Sequence, residues 1–216
     1  MQKLIETIEK EKLIVIVRGV DRETLLPLAD ALYEGGIRLM EVTYPADRED
    51  MDEYTAETIG LLARHTEGRI TVGAGTVIRP RQVELTKAAG GRFIISPDVN
   101  PDIIKYTKEL GLVSIPGALT PSEVTLANRS GADFVKLFPA SVGGPAYLKA
   151  ISAPLSHIRF LAVGGVDRKT MAEYTKAGAC GFGIGTKFED DNLLKNKDFA
   201  GITEVVRSYV ALLSSL

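Results

Sequence analysis

Eight short apolar runs, separated by longer amphipathic stretches, restrict this chain to a small set of folds. They are Leu13–Arg18, Leu39–Thr43, Ile70–Ala74, Phe93–Ser96, Leu112–Pro116, Phe134–Leu137, Arg159–Val163 and Gly181–Gly185. Runs this short and this rich in Val, Ile and Phe read as strands buried on both faces, as in a parallel sheet covered by helices. Glycine stops precede several of them: Gly35-Gly36 before Leu39, Gly90-Gly91 before Phe93, Gly131 before Phe134 and Gly178 before Gly181. Pro80, Pro101 and Pro121 mark first helical turns after the third, fourth and fifth runs. Eight strand–helix units in 216 residues predict one (β/α)8 barrel over 1–216, an α/β fold with its active site at the C-terminal strand ends. No linker or low-complexity segment interrupts the pattern. The polar stretch Glu189-Asp190-Asp191 to Lys197 reads as a solvated loop.

Composition narrows the function classes. With 45% hydrophobic and 25% charged residues, the chain can bury one large core. Its 26 basic and 28 acidic residues leave a net charge of -2, with no basic stripe for a nucleic-acid backbone or an anionic membrane. A single cysteine, Cys180, excludes an internal disulfide, and Met1-Gln2-Lys3-Leu4-Ile5-Glu6 has no apolar signal core. The expected setting is the cytoplasm. No apolar run approaches the roughly 20 residues needed to span a bilayer.

Strand alternation selects the side chains that enter the barrel. In the sixth run Val135 and Leu137 face the helices, leaving Phe134, Lys136 and Phe138 inward. In the second, Leu39, Glu41 and Thr43 face inward; in the first, Ile14, Ile16 and Arg18 do. Burying Glu41, Arg18 and Lys136 unpaired would cost several kcal/mol per ion, so even a purely structural reading makes them interact. All three fall late in their strands, where barrel enzymes place their chemistry. Desolvation lowers the pKa of a lysine and exposes the neutral amine that attacks a ketone to form a Schiff base, which makes Lys136 the candidate nucleophile.

Gly164-Gly165 and Gly183-Ile184-Gly185-Thr186 follow the seventh and eighth strands, where barrels bind phosphate through backbone N–H groups. An anion is expected there; tight turns alone are the alternative. Gly73-Ala74-Gly75-Thr76 is followed by Ile78 where a dinucleotide fingerprint needs a third glycine, and no Walker lysine follows. Thr76 can instead offer its hydroxyl and N–H to a small carboxylate. His65 and His157 belong to no metal-spaced cluster, and Cys180 reads as a small buried hydrophobe, so no metal site is expected.

Taken in order, these motifs resemble the 2-keto-3-deoxy-6-phosphogluconate aldolases, in the bifunctional group that also cleaves 4-hydroxy-2-oxoglutarate. The resemblance runs through Gly35-Gly36 to Glu41-Val42-Thr43, Val72-Gly73-Ala74-Gly75-Thr76, Ile95-Ser96-Pro97, Ile115-Pro116-Gly117, Lys136-Leu137-Phe138-Pro139-Ala140, Gly164-Gly165-Val166 and Gly183-Ile184-Gly185-Thr186. Each motif alone is weak; their order and spacing are specific. The resemblance implies a class I lyase in which Lys136 forms the Schiff base and Glu41 is the general acid/base, acting through water. It implies that Arg18, Thr43 and Thr76 serve the keto-acid carboxylate end and that Pro97 and Phe138 wall the pocket. It implies that Gly164, Gly165, Gly185 and Thr186 hold a distal phosphate. Pyruvate and glyceraldehyde 3-phosphate or glyoxylate are the implied products, with no cofactor, in a homotrimer.

Two positions depart from the family pattern. Pro45 stands where some members carry an arginine, which passes carboxylate recognition to Arg18 or Arg48. Val163 replaces the threonine of a Pro-Thr-Gly-Gly phosphate loop, removing a hydroxyl and leaving the backbone donors. The competing classes are a phosphosugar isomerase or epimerase, which needs no imine-forming lysine, and a non-catalytic keto-acid-binding protein, which does not need both Glu41 and Lys136.

Overall fold

The apolar runs become parallel strand segments in the computed structural model, which describes residues 1–186, 188 and 190–216. The segments are β1 (Leu13–Val17), β2 (Leu39–Thr43), β3 (Thr71–Gly75), β4 (Phe93–Ile95), β5 (Val113–Ile115), β6 (Gly117–Ala118), β7 (Val135–Leu137), β8 (Phe160–Val163) and β9 (Ala179–Gly185). The helices are α1 (Gln2–Glu11), α2 (Arg22–Glu34), α3 (Asp52–His65), α4 (Pro80–Ala88), α5 (Pro101–Glu109), α6 (Pro121–Arg129), α7 (Gly144–Ser152), α8 (Arg168–Lys176), α9 (Asp191–Lys195) and α10 (Phe199–Ser214). The spatial order β5-β4-β3-β2-β1-β9-β8-β7-β6 makes β5 and β6 the two ends of one sheet. They are also neighbours in the chain, separated only by Pro116.

This explains why eight runs in the sequence give nine segments. Proline has no N–H to donate, so the fifth strand breaks at Pro116. Its first half pairs with β4 and its second half with β7. The ring closes across the break: the Ser114 carbonyl accepts from Asp133 N (3.0 Å) and Phe134 N (3.3 Å), and the Pro116 carbonyl from Lys136 N (2.9 Å). The expected barrel is present, with the fifth strand as its seam.

Two apolar layers follow from the alternation. Val15, Val17, Met40, Val42, Val135 and Leu137 pack outward with helix residues such as Leu28, Ile59 and Leu148. Ile14, Leu39, Phe93, Val113, Phe134 and Leu161 fill the lumen. Helix α1, to which the sequence reading assigned no role, adds Ile5 and Ile8 to the lumen cluster, 7% and 1% exposed, and closes the N-terminal end of the barrel. Burying each isoleucine contributes on the order of 1.5–3 kcal/mol.

Pro80, Pro101 and Pro121 each open a helix as expected. The solvated loop expected at Glu189 to Lys197 needs correction: Asp190 accepts from Asn192 N at 2.8 Å and starts α9, and Leu193 and Leu194 pack against the core. Two adjacent leucines on one short turn suffice to dock it; Glu189 itself lies outside the described residues. Among the described residues, no helix is long and apolar enough to cross a membrane.

Candidate active site

Lys136 lies in the middle of β7 and Glu41 in the middle of β2, and both point into the lumen, 7% and 3% exposed. They line one narrow pocket with Ile16, Ile95, Ile115 and Val163 as its apolar walls. Burial pushes the Glu41 carboxyl up to about 7, against the pull of Lys136 and Arg18. Burial lowers the Lys136 pKa too, opposed by Glu41 and Asp98 and reinforced by Arg18. Desolvation therefore outweighs mutual attraction at both residues, which favours a neutral amine beside a carboxyl that titrates near neutrality. Glu41 Oε2 is buried without a hydrogen-bond partner. A buried orphan oxygen costs about 1–3 kcal/mol, so this atom is open to a proton or to a hydrogen-bond donor entering the pocket.

Neighbouring glycines and aromatic residues set the shape of this pair. A Cβ on Gly75 would lie 2.1 Å from Glu41 Oε1, so the bare backbone of β3 makes room for the carboxylate. Lys136 Nζ sits 4.5 Å from the Phe138 ring centroid, and Phe138 packs with the lumen cluster. Pro97, half-buried after β4, approaches Gly117 so closely that a Cβ there would meet the Pro97 carbonyl oxygen at 2.4 Å. Pro97 is thereby fixed at the rim.

Arg18, expected inward, is exposed at the mouth just past β1. Its Nη2 donates to Thr76 Oγ1 at 3.4 Å. Thr76 has φ +57°, in the left-handed region. A β-branched residue held there costs on the order of 1–3 kcal/mol, and such strain collects at ligand sites. Nothing in the sequence announces it. Thr43 is buried, and its hydroxyl donates to the Val17 carbonyl at 3.3 Å, tying β2 to β1. Arg48, the other candidate for a carboxylate, gives Nε and Nη2 to Asp50 at 2.9 and 2.7 Å on the surface.

Gly164 and Gly165, just past β8, have φ +90° and +74°. A side chain on Gly165 would strike Ser141 Oγ at 2.6 Å, and Ser141 N donates to the Gly164 carbonyl at 3.0 Å. This loop lies two residues before α8, whose N-cap Asp167 accepts from Thr170 N. Gly185 is exposed, with open space where its Cβ would be, and Thr186 N donates to Ile16 O at 3.2 Å. Gly185 and Thr186 thus lie beside β1, and the Gly164-Gly165 loop lies against Phe138, Pro139 and Ser141 after β7. Sequence reasoning missed Asp98, whose charge reaches Lys136, along with Gly75, Gly117 and Ser141 as shape-setting neighbours. Their signal was adjacency to motifs already noted.

The bland candidates stay bland. His65 Nε2 is 2.9 Å from Asp30 Oδ1, a contact shared with Arg69 on the outer layer. Cys180 is half-buried at the lumen cluster, its thiol donating to the Phe160 carbonyl at 3.3 Å and pushed up to about 11 by burial. Burial thus disfavours the thiolate, the form that would act as a nucleophile.

Comparison with known proteins places this geometry in context. A family model described as "KDPG and KHG aldolase" matches residues 4–205. The 2-dehydro-3-deoxy-phosphogluconate aldolase of Pseudomonas aeruginosa is 37% identical over 174 residues, covering 79% of this chain and 75% of that protein. The 2-dehydro-3-deoxy-6-phosphogalactonate aldolase of Escherichia coli K12 is 31% identical over 178 residues, covering 82% and 84%. Among solved structures, a KDPG aldolase from Legionella pneumophila with pyruvate captured as a covalent carbinolamine superposes with a TM-score of 0.83. It is 30% identical and covers 94% of this chain and 96% of that one.

Proposed function

Given that the chain belongs to the KDPG and KHG aldolase family, we propose that it cleaves a 2-keto-3-deoxy sugar acid, through an imine on Lys136, to pyruvate and an aldehyde. The observation that carries this reading is the desolvated amine of Lys136 facing the orphan carboxyl of Glu41 in one apolar pocket. The neutral amine attacks the C2 carbonyl, and the carbinolamine loses water to give a protonated imine. Glu41 then takes the C4 hydroxyl proton, the C3–C4 bond electrons flow into the imine, and the aldehyde leaves. The resulting enamine is protonated at C3, and hydrolysis returns pyruvate and the free amine. With a pKa of about 7, Glu41 can serve as acid in the dehydration and as base in the cleavage.

Arg18 and Thr76 are assigned to the substrate carboxylate, and Pro97 and Phe138 to the pocket walls. Gly164, Gly165, Gly185 and Thr186 are assigned to a distal phosphate, with Val163 withholding the hydroxyl that a threonine would supply. The aldehyde product is glyceraldehyde 3-phosphate, or glyoxylate from 4-hydroxy-2-oxoglutarate. The phosphogalactonate relative keeps the opposite C4 configuration in view. The route needs no cofactor. Membership of the family also brings the expectation of a cytoplasmic homotrimer, which sedimentation velocity checks directly.

The test is borohydride trapping with pyruvate, followed by intact-mass and peptide analysis. A reduced pyruvate adduct on Lys136 is expected, with loss of adduct and turnover in Lys136→Ala. If Lys136 stays unmodified while a known imine enzyme is trapped in parallel, the aldolase reading fails and the isomerase becomes the class to assay.

A further inference from the structure

The backbone of Thr76 needs more support than its own side chain provides. At φ +57° it sits where a β-branched residue is disfavoured, and among the described residues its hydroxyl is tied to the exposed Arg18 at 3.4 Å. A strained residue persists where its surroundings over-determine it, so the hold must come from the flanking chain. Before Thr76, β3 pairs along β2, and the Gly75 carbonyl accepts from Tyr44 N at 2.9 Å. After it, each of the next three residues is anchored. Val77 N donates to the Ile95 carbonyl at 3.1 Å, and the Val77 carbonyl accepts from Ser96 Oγ at 2.7 Å. Ile78 N and Arg79 N both donate to Gln82 Oε1, at 2.9 and 3.2 Å.

Gln82 is fully buried, and its Nε2 donates to Asp52 Oδ1 at 2.9 Å. Asp52, 4% exposed at the start of α3, also takes the Arg79 guanidinium, from Nη2 to Oδ1 at 2.9 Å and from Nε to Oδ2 at 3.3 Å. Arg79 Nη1 reaches on to the Ala46 carbonyl at 3.1 Å. One buried carboxylate thus binds the loop after β2 to the loop after β3. Helix capping accounts for part of this, since Gln82 is the third residue of α4 and its oxygen caps the Arg79 amide. Glu123 does the same job at α6, taking Leu119 N and Thr120 N at 2.9 and 2.7 Å while exposed on the surface. Capping therefore requires neither a buried carboxamide nor an ion pair behind it, and burying an ion pair gains little stability by itself. The α4 loop has a left-handed residue three positions before its N-cap; residues 117–120, which lead into α6, have none.

We propose that Asp52 and Gln82 are positioning residues for substrate binding, which hold Thr76 left-handed, through Arg79 and the backbone of residues 77–79, and so keep its hydroxyl turned toward Arg18 at the mouth. Neither lines the Lys136 pocket. The consequence for binding rests on the assignment of Arg18 and Thr76 to the substrate carboxylate; the hold on Thr76 does not.

The test compares Gln82→Met with the parent and with Glu123→Ala, which removes a helix cap of the same kind. Backbone chemical shifts report the conformation of Thr76, and the pyruvate concentration that half-saturates borohydride trapping at Lys136 reports carboxylate binding. In Gln82→Met the Thr76 shifts should leave their left-handed values. Half-saturation should rise about ten-fold while the saturated trapping rate stays within about two-fold, the pattern of a lost contact made equally in ground and transition states. Glu123→Ala should alter neither readout. Asp52→Asn keeps one acceptor oxygen, so it is the milder variant should Gln82→Met not fold, and it should raise half-saturation about three-fold. Because Gln82 acts through Thr76, adding Gln82→Met to Thr76→Ala should change half-saturation by less than about two-fold. Parental Thr76 shifts in both variants would overturn the proposal, as would unchanged half-saturation, an equal rise in Glu123→Ala, or a further ten-fold rise in the double variant. If the parent itself is not trapped, the imine reading fails, and the Thr76 shifts still decide whether Asp52 and Gln82 hold the loop.

Discussion

At the residue scale, the chemistry of the pocket is set by two ions whose desolvation outweighs their attraction. For Glu41 the sign of the pH dependence follows directly. The folded carboxyl holds its proton up to about pH 7, whereas the unfolded one releases it near 4.5. The native state therefore binds more protons across that window, and stability falls as pH rises through it. Glu41→Gln removes this slope. Denaturant titrations should show the variant gaining on the parent by at most about 3 kcal/mol at pH 8, less the lost attraction to Lys136, and by nothing at pH 4. Lys136, with its pKa lowered, contributes the opposite slope, destabilising most at low pH and least as pH approaches its ordinary value. Lys136→Met should flatten that dependence in the same assay. Gly75→Ala tests position: its Cβ would meet the end of the Glu41 side chain and the Thr43 methyl, so the fold should lose about 1–3 kcal/mol. Turnover should fall about 100-fold as the carboxyl is displaced. Unchanged turnover would show that Glu41 does not act from this position.

At the element scale, the strands were the most legible part of the chain. A run of apolar residues between a glycine stop and a proline start leaves little freedom, and β2 runs over the expected residues. The break of the fifth strand was visible only as Pro116 at the end of its run, because no local pattern tells which neighbour each half will pair with. The inward parity that singled out Lys136 and Glu41 held, since a two-residue period admits one buried choice per strand. Arg18 reached the mouth rather than the lumen because it lies one residue beyond the pairing of β1. Thr43 and Thr76 looked alike in sequence, each a threonine at a strand end. Only the backbone separates them, one extended and bonded to a neighbouring strand, the other left-handed and facing the mouth. Helix α1 escaped notice because its apolar residues are few, yet Ile8 is almost fully enclosed. Ile8→Ala should cost about 2–4 kcal/mol in chemical denaturation, and a loss below about 1 kcal/mol would mean that α1 does not seal the lumen.

At the scale of the whole molecule, the barrel is a ring with one seam, and Lys136 sits on it. The Lys136 amide bonds to Pro116 and its strand pairs with Gly117. Gly117→Ala would push a methyl against the Pro97 carbonyl, a backbone atom that cannot step aside, at a cost of about 1–3 kcal/mol. Hydrogen exchange should then quicken first at the Lys136 and Phe138 amides, which close the seam, before it quickens at β1 and β2. The plug of Ile5 and Ile8 beneath the lumen has a further consequence. A tunnel with one end stopped is a blind alley, and traffic in it is last in, first out. In the proposed imine route the fragment bonded to Lys136 would occupy the dead end, so its partner fragment would have to depart before it could. Under the proposed reaction, pyruvate should therefore compete with substrate as an inhibitor, while the aldehyde should lower the maximal rate without competing. The reverse pattern would mean that the floor of the barrel opens during turnover.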